Sequence, residues 1–371
     1  MECNQTIGSE ENLKFMKRIT YVSRASKPIS QATLDEIATI SIQNNGRVNV
    51  TGILLSGGDF FFQILEGEEE AVDCALDRIS KDSRHCEIQI LKVENPALNR
   101  QFPDWSMQTV RLDDMNDALI QAARVMLANL AESRGILARY TQPTIRDFLS
   151  KGINPLMAPC QLEDKVVLFG DIAAFDLLST FYPTEEVAEH ASCFLEILST
   201  AVVRNGGQVN KYMGSKVLAY FPVSHVDQAI RSCLEVLNEI KTLRANAAQC
   251  RLRNFLYCGF GLTLGPVIEG NFGSSFKLDY TILGNTVNMA ARLESMTRLK
   301  GRALLLEESV KNACREAWRW EDVGPLQLKG QATSSQYFSL EHEMTHEMRS
   351  VDEMLKQVLS TTEEHRRNCP C

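Results

Sequence analysis

The sequence predicts two domains in series, an α+β sheet domain followed by an α/β domain, with a helical segment between them. At 371 residues the chain is too long for one typical core. Stretches with strand-like alternation and stretches with helical periodicity alternate along both halves. The pairs Asn154-Pro155 and Ala158-Pro159 mark a linker between the halves.

The first half reads as a βαββαββ order, which implies one sheet with two helices on one face. The turn sequence Ser56-Gly57-Gly58-Asp59 between two apolar runs predicts a β-hairpin. The predicted strands are 17–24, 50–55, 60–67, 87–93 and a short one around 106–110. The predicted helices are 30–45, which Ser30 caps, and 68–81.

From residue 113 to about 149 the pattern turns helical. Its apolar positions recur at spacings of three, four, four and seven, at Leu119, Ala122, Met126, Leu130 and Leu137. Such a stripe either packs within the chain or forms a dimer seam, and the spacing does not choose between these. The second α/β region begins at Lys165 and ends near Leu340.

Composition restricts the class of partner. The net charge of -8 gives no electrostatic reason to expect nucleic acid or an anionic membrane. No apolar run approaches the ~18 residues of a membrane span. The 11 cysteines lack CxxC pairs, which favours a reducing, cytoplasmic compartment. We expect a disordered extension over residues 1–15 and a frayed C-terminus, although Cys369-Pro370-Cys371 resembles a prenylation ending.

Several separated motifs in the first half occur in the order found in one family. They are Tyr21, Asn44-Asn45, Thr51-Gly52, Phe61-Phe62-Gln63-Ile64-Leu65-Glu66-Gly67 and Trp105-Ser106-Met107-Gln108. With these motifs the stretch resembles the BLUF flavin photosensors. The resemblance implies a ferredoxin-like domain over residues 16–112 with FAD as cofactor. A flavin-free domain of similar fold that serves only as a dimeriser is the alternative.

The BLUF resemblance also implies roles for individual side chains. Gln63 carries a carbonyl and an amide on one headgroup, so it can bridge the Tyr21 phenol to the flavin and switch its donor pattern. Light would rearrange Gln63, and Trp105 and Met107 would carry the change to the sheet edge. The implied flavin-site residues are Tyr21, Asn44, Asn45, Gln63, Trp105 and Met107. Arg84 and His85 receive no role.

The second half contains a long signature, residues 281–294, in which a polar turn opens onto a helix. Asn288 and Arg292 lie four residues apart and so share a helical face. An amide beside a guanidinium fork suits a phosphate and its sugar. The run resembles the class III nucleotidyl cyclases, in which such an Asn orients the ribose and such an Arg stabilises the transition state.

Further positions match the same cyclase family. Asp171, at a predicted strand end, matches the first of two Asp residues that hold two Mg²⁺ ions (or Mn²⁺), and the Ile172 carbonyl would be a further ligand. Lys211 and Thr281 match the pair that selects adenine, which favours ATP over GTP. Lys329 matches a triphosphate contact.

One position departs from the family pattern. The second metal-binding Asp follows a Gly in the family, whereas this chain reads Gly214-Ser215-Lys216. Losing one of two charged ligands should weaken Mg²⁺ binding. A homodimer could retain reduced activity, a partner chain could supply both Asp residues, or the chain could be a catalytically weak light-sensing regulator. An engineered or variant origin for Ser215 also stays open.

Together the halves resemble the photoactivated adenylate cyclases, which convert ATP to cAMP and pyrophosphate as dimers. The resemblance implies a homodimer, and Ser215 keeps open a heterodimer with a chain that carries both metal Asp residues. Control by flavin redox state instead of light is a further alternative. The predicted segments are an extension (1–15), a BLUF domain (16–112), a helical dimerisation linker (113–160), a class III cyclase domain (161–342) and a charged tail (343–371).

Overall fold

The computed structural model of the chain describes residues 16–27, 30–115, 117–151, 153–246, 251–326, 335–346 and 348. Within them the chain folds as two compact units that divide between Ala158 and Pro159. The predicted extension over residues 1–15 and most of the predicted tail lie outside the described residues.

The first unit is built on a five-stranded sheet with the order β4-β1-β3-β2-β5. Strand β5 runs parallel to β2, and the other neighbouring pairs are antiparallel. The predicted strands and the predicted hairpin are confirmed. The strands are β1 (Met16–Ala25), β2 (Thr51–Gly57), β3 (Phe60–Glu68), β4 (His85–Glu94) and β5 (Gln108–Arg111).

Two helices cover one face of this sheet, as predicted. The side chain of Ser30 accepts from the Thr33 N–H and caps α1 (Gln31–Arg47), while α2 (Glu69–Ser80) follows β3 directly. Both helices contribute to one apolar cluster with the sheet, which places them on the same side. Its buried members include Leu34, Ile37, Val72, Ala75, Ile19, Leu54, Phe61 and Leu65.

Gly52 allows β2 and β3 to approach closely. A Cβ at this position would lie 1.9 Å from the Ile64 carbonyl oxygen, so only glycine fits. The Gly52 N–H donates to the Trp105 carbonyl at 2.8 Å. The segment before β5 is therefore tied to the sheet through the backbone.

The helical region after β5 consists of two helices instead of one. Asp117 caps α3 (Ala118–Tyr140), and α4 (Pro143–Ser150) begins with proline. Gln142 is extended because the residue before a proline is disfavoured in helical conformation, and the helix therefore breaks there. Four of the five residues of the predicted apolar stripe are exposed, namely Ala122, Leu119 at 81%, Met126 at 72% and Leu137 at 56%.

The second unit is an eight-stranded sheet with the order β12-β13-β11-β9-β6-β8-β7, and β10 pairs with β9 off this path. Its long central strands β6 and β9 are antiparallel. The strands are β6 (Gln161–Ile172), β7 (Gln208–Met213), β8 (Lys216–Pro222), β9 (Cys258–Gly273), β10 (Leu278–Leu283), β11 (Leu304–Glu307), β12 (Trp320–Leu326) and β13 (Ser335–Leu340).

The main core of this unit lies between the sheet and two long helices, with buried residues such as Phe194, Leu198, Ile230 and Val236. Helix α8 packs against β9 so closely that a Cβ on Gly261 would lie 2.2 Å from the Ala290 carbonyl oxygen. This contact fixes the position of α8, which carries several predicted site residues. The helices are α5 (Phe175–Phe181), α6 (Thr184–Arg204), α7 (Val226–Ala245), α8 (Asn285–Lys300) and α9 (Glu308–Ala313).

Candidate functional site

Three buried side chains form a hydrogen-bonded chain across the first sheet. Tyr21 on β1 and Gln63 on β3 are paired in register, and the Tyr21 hydroxyl donates to Gln63 Oε1. Gln63 Nε2 donates to Met107 Sδ at 3.4 Å. Burial raises the pKa of the Tyr21 phenol above its ordinary value, so the phenol stays protonated and acts as the donor.

A cleft lined by α1, α2 and the turn after α2 opens onto Gln63, the middle residue of this hydrogen-bonded series. Gln63, Asn44 and Asn45 are among the residues that line it. Asn45 is buried, and its Nδ2 donates to the Ser106 carbonyl at 3.1 Å. The structure thus brings Asn44 and Asn45 together with Gln63, while Tyr21 lies behind Gln63.

The turn after α2 supplies charged residues that the sequence analysis left without a role. The Arg84 guanidinium donates to both carboxylate oxygens of Asp82, with Nη2 to Oδ2 at 2.6 Å, and this contact lowers the pKa of Asp82. His85 Nδ1 lies 2.9 Å from the Ser23 hydroxyl, and burial lowers the pKa of the imidazole. All three residues line the cleft.

Trp105 does not join this group. Its side chain is 41% exposed and stacks on Phe102 with the ring centroids 5.4 Å apart. It is not among the residues that line the cleft, whereas Met107 is buried against Gln63. Met107 and Trp105, the two residues predicted to carry the light signal to the sheet edge, therefore lie in different environments. Met107 is buried in the core, whereas Trp105 is exposed at the surface.

The residues of the cleft fit an isoalloxazine ring. Amide groups at Asn45 and Gln63 can donate to and accept from its polar edge. Arg84 at the rim is paired with Asp82, so it brings N–H donors to the cleft without a net positive charge. A protonated phenol behind Gln63 is a group that can release an electron and a proton together. The arrangement suits a flavin whose excitation is sensed through one hydrogen-bonded glutamine.

In the second unit, Asp171 lies at the end of β6 and is 4% exposed. Its Oδ1 accepts from the Ser215 hydroxyl at 2.7 Å. Its Oδ2 accepts from Lys216 Nζ and from Arg298 Nη2, the latter at 2.8 Å. The structure therefore brings Asp171, the predicted metal ligand, together with Ser215, which stands where the family has its second metal-binding Asp. Two cationic side chains, Lys216 and Arg298, also bind the Asp171 carboxylate.

A second carboxylate, Glu294 on α8, lies beside this cluster with its side chain 1% exposed. Burial, with the neighbouring Asp171 charge, raises the pKa of Glu294 to about 7. Glu294 Oε1 accepts from Arg298 at 3.1 Å, and Lys216 Nζ lies 3.9 Å from Oε2. Among the described residues Oε2 has no hydrogen-bond partner.

This cluster does not fit two divalent metal ions. Across the described part of the chain, no group of three or more His, Cys, Asp or Glu side chains could hold a metal ion. Hard cations prefer several oxygen ligands, and like charges repel them. Both oxygens of Asp171 are already engaged, and two positive groups contact one of them. Ile172, the other predicted ligand, follows directly with its side chain buried.

The predicted adenine-selecting residues are held by partners that link β7 to β10. Lys211 Nζ donates to Asp279 Oδ2 at 2.8 Å. Thr281 is buried, and its hydroxyl donates to Asn210 Oδ1 at 2.6 Å. Lys211 and Asn210 are neighbours on β7, so both predicted residues belong to one small cluster.

Asn288 and Arg292 share one side of α8, but this is not the side that faces Asp171. Successive residues turn by about 100° around a helix, so Arg292 and Glu294 differ by about 200°. Glu294 is buried beside Asp171, whereas Asn288 is exposed and Arg292 is half-buried, with Nη1 3.8 Å from Met289 Sδ. Lys329 lies outside the described residues.

Two family models match the chain in succession. Residues 16–108 match the sensors of blue light using FAD (BLUF), and residues 158–341 match the adenylate and guanylate cyclase catalytic domain. A solved structure of a bacterial light-regulated adenylyl cyclase is 36% identical with a TM-score of 0.87, covering 93% of this chain and 99% of that one. The chain belongs to the family of light-regulated adenylyl cyclases.

Curated relatives of this chain include two subunits of photoactivated adenylate cyclase from Euglena gracilis. The alpha subunit is 30% identical over 313 residues, which are 83% of this chain and 30% of that protein. The beta subunit is 29% identical over 312 residues, 83% of this chain and 36% of that protein. The chain thus spans about a third of the length of these curated relatives. None of its described helices is long and apolar enough to cross a membrane.

The sequence did not predict the cluster that Lys216, Glu294 and Arg298 form around Asp171. Glu294 and Arg298 lie i, i+4 on α8, a spacing that the sequence shows. The hydrogen bond from Arg298 to Asp171, 127 residues away at the end of β6, has no local signal. The adjacent Lys216 was visible as a cation beside Ser215, but its bond to Asp171 was not.

Proposed function

We propose that the chain is a blue-light-regulated adenylate cyclase that acts as a homodimer and converts ATP to cAMP and pyrophosphate. In this reaction the ribose 3′-oxygen bonds to the α-phosphorus, the bond from that phosphorus to the β-bridging oxygen breaks, and the 3′-hydroxyl proton is released. The observation that carries the proposal is the buried Tyr21–Gln63–Met107 chain in the same polypeptide as the Lys211 and Thr281 cluster.

Adenine recognition rests on the partners of Lys211 and Thr281. Because the Thr281 hydroxyl proton is donated to Asn210, its oxygen is left as an acceptor for the exocyclic amine of adenine. Asp279 holds the Lys211 ammonium, whose other protons can be donated to a ring nitrogen. Guanine carries an oxygen in place of that amine, so this arrangement favours ATP over GTP.

The opposite faces of α8 support a dimeric site. One chain directs Glu294 and Arg298 toward its own Asp171, so Asn288 and Arg292 serve a nucleotide bound on a second chain. The exposed apolar side chains of α3, such as Leu119 and Met126, favour the dimer seam over packing within the chain. Oligomers with such paired sites are twofold symmetric, so the dimer contains two equivalent sites.

Light sensing rests on the first unit. BLUF domains use flavin, and we assign FAD to the cleft beside Gln63, with Asn44, Asn45 and Arg84 as contacts. The bound flavin supplies an excited state that accepts an electron and a proton. Gln63 then changes its donor and acceptor pattern between Tyr21 and Met107, which alters its contact with Met107, the residue directly before β5. A cytoplasmic location, which the free thiols described in the structure favour, stays a prediction.

Ser215 supports a second candidate, a light-sensing subunit that needs a partner chain with both metal-binding carboxylates. The Ser215 hydroxyl is buried against Asp171 and adds no negative charge to the site. In this case the chain would contribute Lys211, Thr281, Asn288 and Arg292 to a mixed dimer.

The first experiment measures cAMP formation by the purified chain with ATP and either Mg²⁺ or Mn²⁺, in darkness and under blue light, with GTP as the competing substrate. We expect more cAMP in light and little cyclic product from GTP. A spectral shift of the flavin in light without any cAMP would favour the subunit that needs a partner.

Tyr21→Phe separates light control from redox control. We expect the variant to bind flavin but to lose both the light-induced spectral shift and the rise in cAMP, because it lacks the phenol hydroxyl. Tyr140→Phe, at a tyrosine that is 87% exposed, is the matched control. Light activation that survives in Tyr21→Phe would contradict the proposed signalling role.

A further inference from the structure

The cluster around Asp171 carries two positive groups where two metal ions would bind in the family. We propose that the Lys216 ammonium takes the place of one of the two divalent cations, so that each nucleotide site accepts at most one ion. The inference rests on the proposed cyclase function and assigns Lys216 a part in nucleotide binding.

A comparison of formal charges motivates the proposal. Relative to the family pattern, the serine at 215 removes one negative charge from the hairpin turn. The Lys216 ammonium, whose Nζ bonds the Asp171 carboxylate, brings one positive charge to the same place. With one carboxylate absent and one ammonium present, the site needs less positive charge from divalent ions than a site with two Asp residues does.

The Lys216 ammonium lies at the carboxylates of Asp171 and Glu294 and not in open solvent. Lys216 Nζ bonds Asp171 Oδ2 and lies 3.9 Å from Glu294 Oε2. These carboxylates are almost fully buried, with side chains 5% and 1% exposed. A cation in this position neutralises them as a metal ion would, and it repels a second cation at close range.

The ammonium also remains available to a ligand. The Lys216 side chain is 41% exposed, whereas its two carboxylate partners are buried. An ammonium has three donor protons, so it can contact Asp171 and a phosphate oxygen at once. Arg298 bridges the two carboxylates through its Nη2 atom, and its Nε is buried without a hydrogen-bond partner among the described residues, so its guanidinium is turned toward the carboxylates. We therefore assign the phosphate contact to Lys216.

Two consequences follow for the full-length protein. A non-hydrolysable ATP analogue should bind with one Mn²⁺ ion per chain. Part of the affinity for the analogue should persist when EDTA removes all divalent ions, since the ammonium still attracts the phosphates.

The test counts bound Mn²⁺ by electron paramagnetic resonance at saturating α,β-methylene-ATP and measures analogue binding in EDTA by calorimetry. We expect one ion per wild-type chain. Lys216→Met, which keeps the aliphatic stem, should weaken binding in EDTA at least tenfold, and Lys216→Arg should restore most of it. The double variant Ser215→Asp/Lys216→Met should bind a second ion. Lys241→Ala, at an exposed lysine of α7, is the matched control and should match wild type.

Two ions in the wild-type chain, or equal binding in EDTA by wild type and Lys216→Met, would overturn the proposal. Circular dichroism of each variant verifies that it is folded. One bound ion without any cAMP in light would support the role of Lys216 and contradict the homodimeric enzyme. Two ions together with light-driven cAMP would do the reverse.

Discussion

At the scale of single residues, burial can shift the pKa of a side chain without any contact with a neighbouring charge. His190 on α6 shows the effect of burial alone. It is 5% exposed, and its Nε2 has no hydrogen-bond partner among the described residues. Burial lowers the pKa of His190 to about 4, because a charged imidazole would lose its hydration.

This pKa makes the stability of the cyclase unit depend on pH. In the unfolded chain a histidine titrates near 6.5. Between pH 6.5 and 4 the unfolded state binds a proton at His190 that the folded state does not bind. The contribution of His190 to the free energy of unfolding is therefore complete above about pH 6.5 and is lost as the pH falls toward 4. We expect a loss of up to about 3 kcal/mol in the free energy of unfolding over this range.

The measurement is hydrogen exchange of α6 amides in the full chain at pH 7 and pH 5, corrected for intrinsic exchange rates. His190→Leu should reduce the difference in stability between the two pH values. His342→Asn, at an exposed histidine, should leave the difference unchanged. An undiminished difference in His190→Leu would show that other groups cause the acid sensitivity.

At the scale of elements, a buried carboxylate on β3 ties the sheet to the segment that leads into β5. Glu66 is 0% exposed and accepts from Arg18 Nε at 2.7 Å. It also accepts from the backbone N–H groups of Gln101 and Phe102, at 2.8 Å and 3.1 Å. Phe102 in turn stacks on Trp105, so this contact reaches the predicted output residue.

We expect Glu66→Gln to destabilise the BLUF unit by about 2–4 kcal/mol, because Arg18 keeps Glu94 but loses its buried carboxylate partner, and two backbone N–H groups lose a charged acceptor. Hydrogen exchange of β1 and β3 amides in the full chain would then become at least about thirtyfold faster. Lys81→Ala removes an ion pair whose side chains are 73% and 59% exposed, and should change exchange by less than about tenfold. Similar exchange in both variants would contradict the assigned contribution of Glu66.

The sequence predicted these elements well where the signal was local. Ser30 marked the start of α1, and the turn before Phe60 marked the β2–β3 hairpin. The break before Pro143 was missed because the apolar spacing continues on both sides of it. The contacts of Asp171 with Lys216 and Arg298 could not be read from sequence, since they join three elements that only the folded sheet brings together.

At the scale of the whole molecule, the two faces of α8 make a quantitative prediction about the dimer. If Lys211 of one chain and Arg292 of the other complete each site, Lys211→Ala and Arg292→Ala are each inactive alone. A mixed dimer of the two variants has one site with both defects and one intact site. After free exchange about half of the dimers are mixed, so an equimolar mixture should recover about one quarter of the wild-type activity per dimer.

The control mixes Asn288→Ala with Arg292→Ala. Both residues lie on the same face of α8 and belong to the same half of the site, so each of the two sites in a mixed dimer keeps one defect. We expect no recovery from this pair, measured as light-driven cAMP formation at equal total protein. Recovery in the control, or none in the Lys211→Ala and Arg292→Ala mixture, would show that each chain completes its own site. Asn288 and Arg292 on α8 would then have to move toward Asp171 on β6 within one chain.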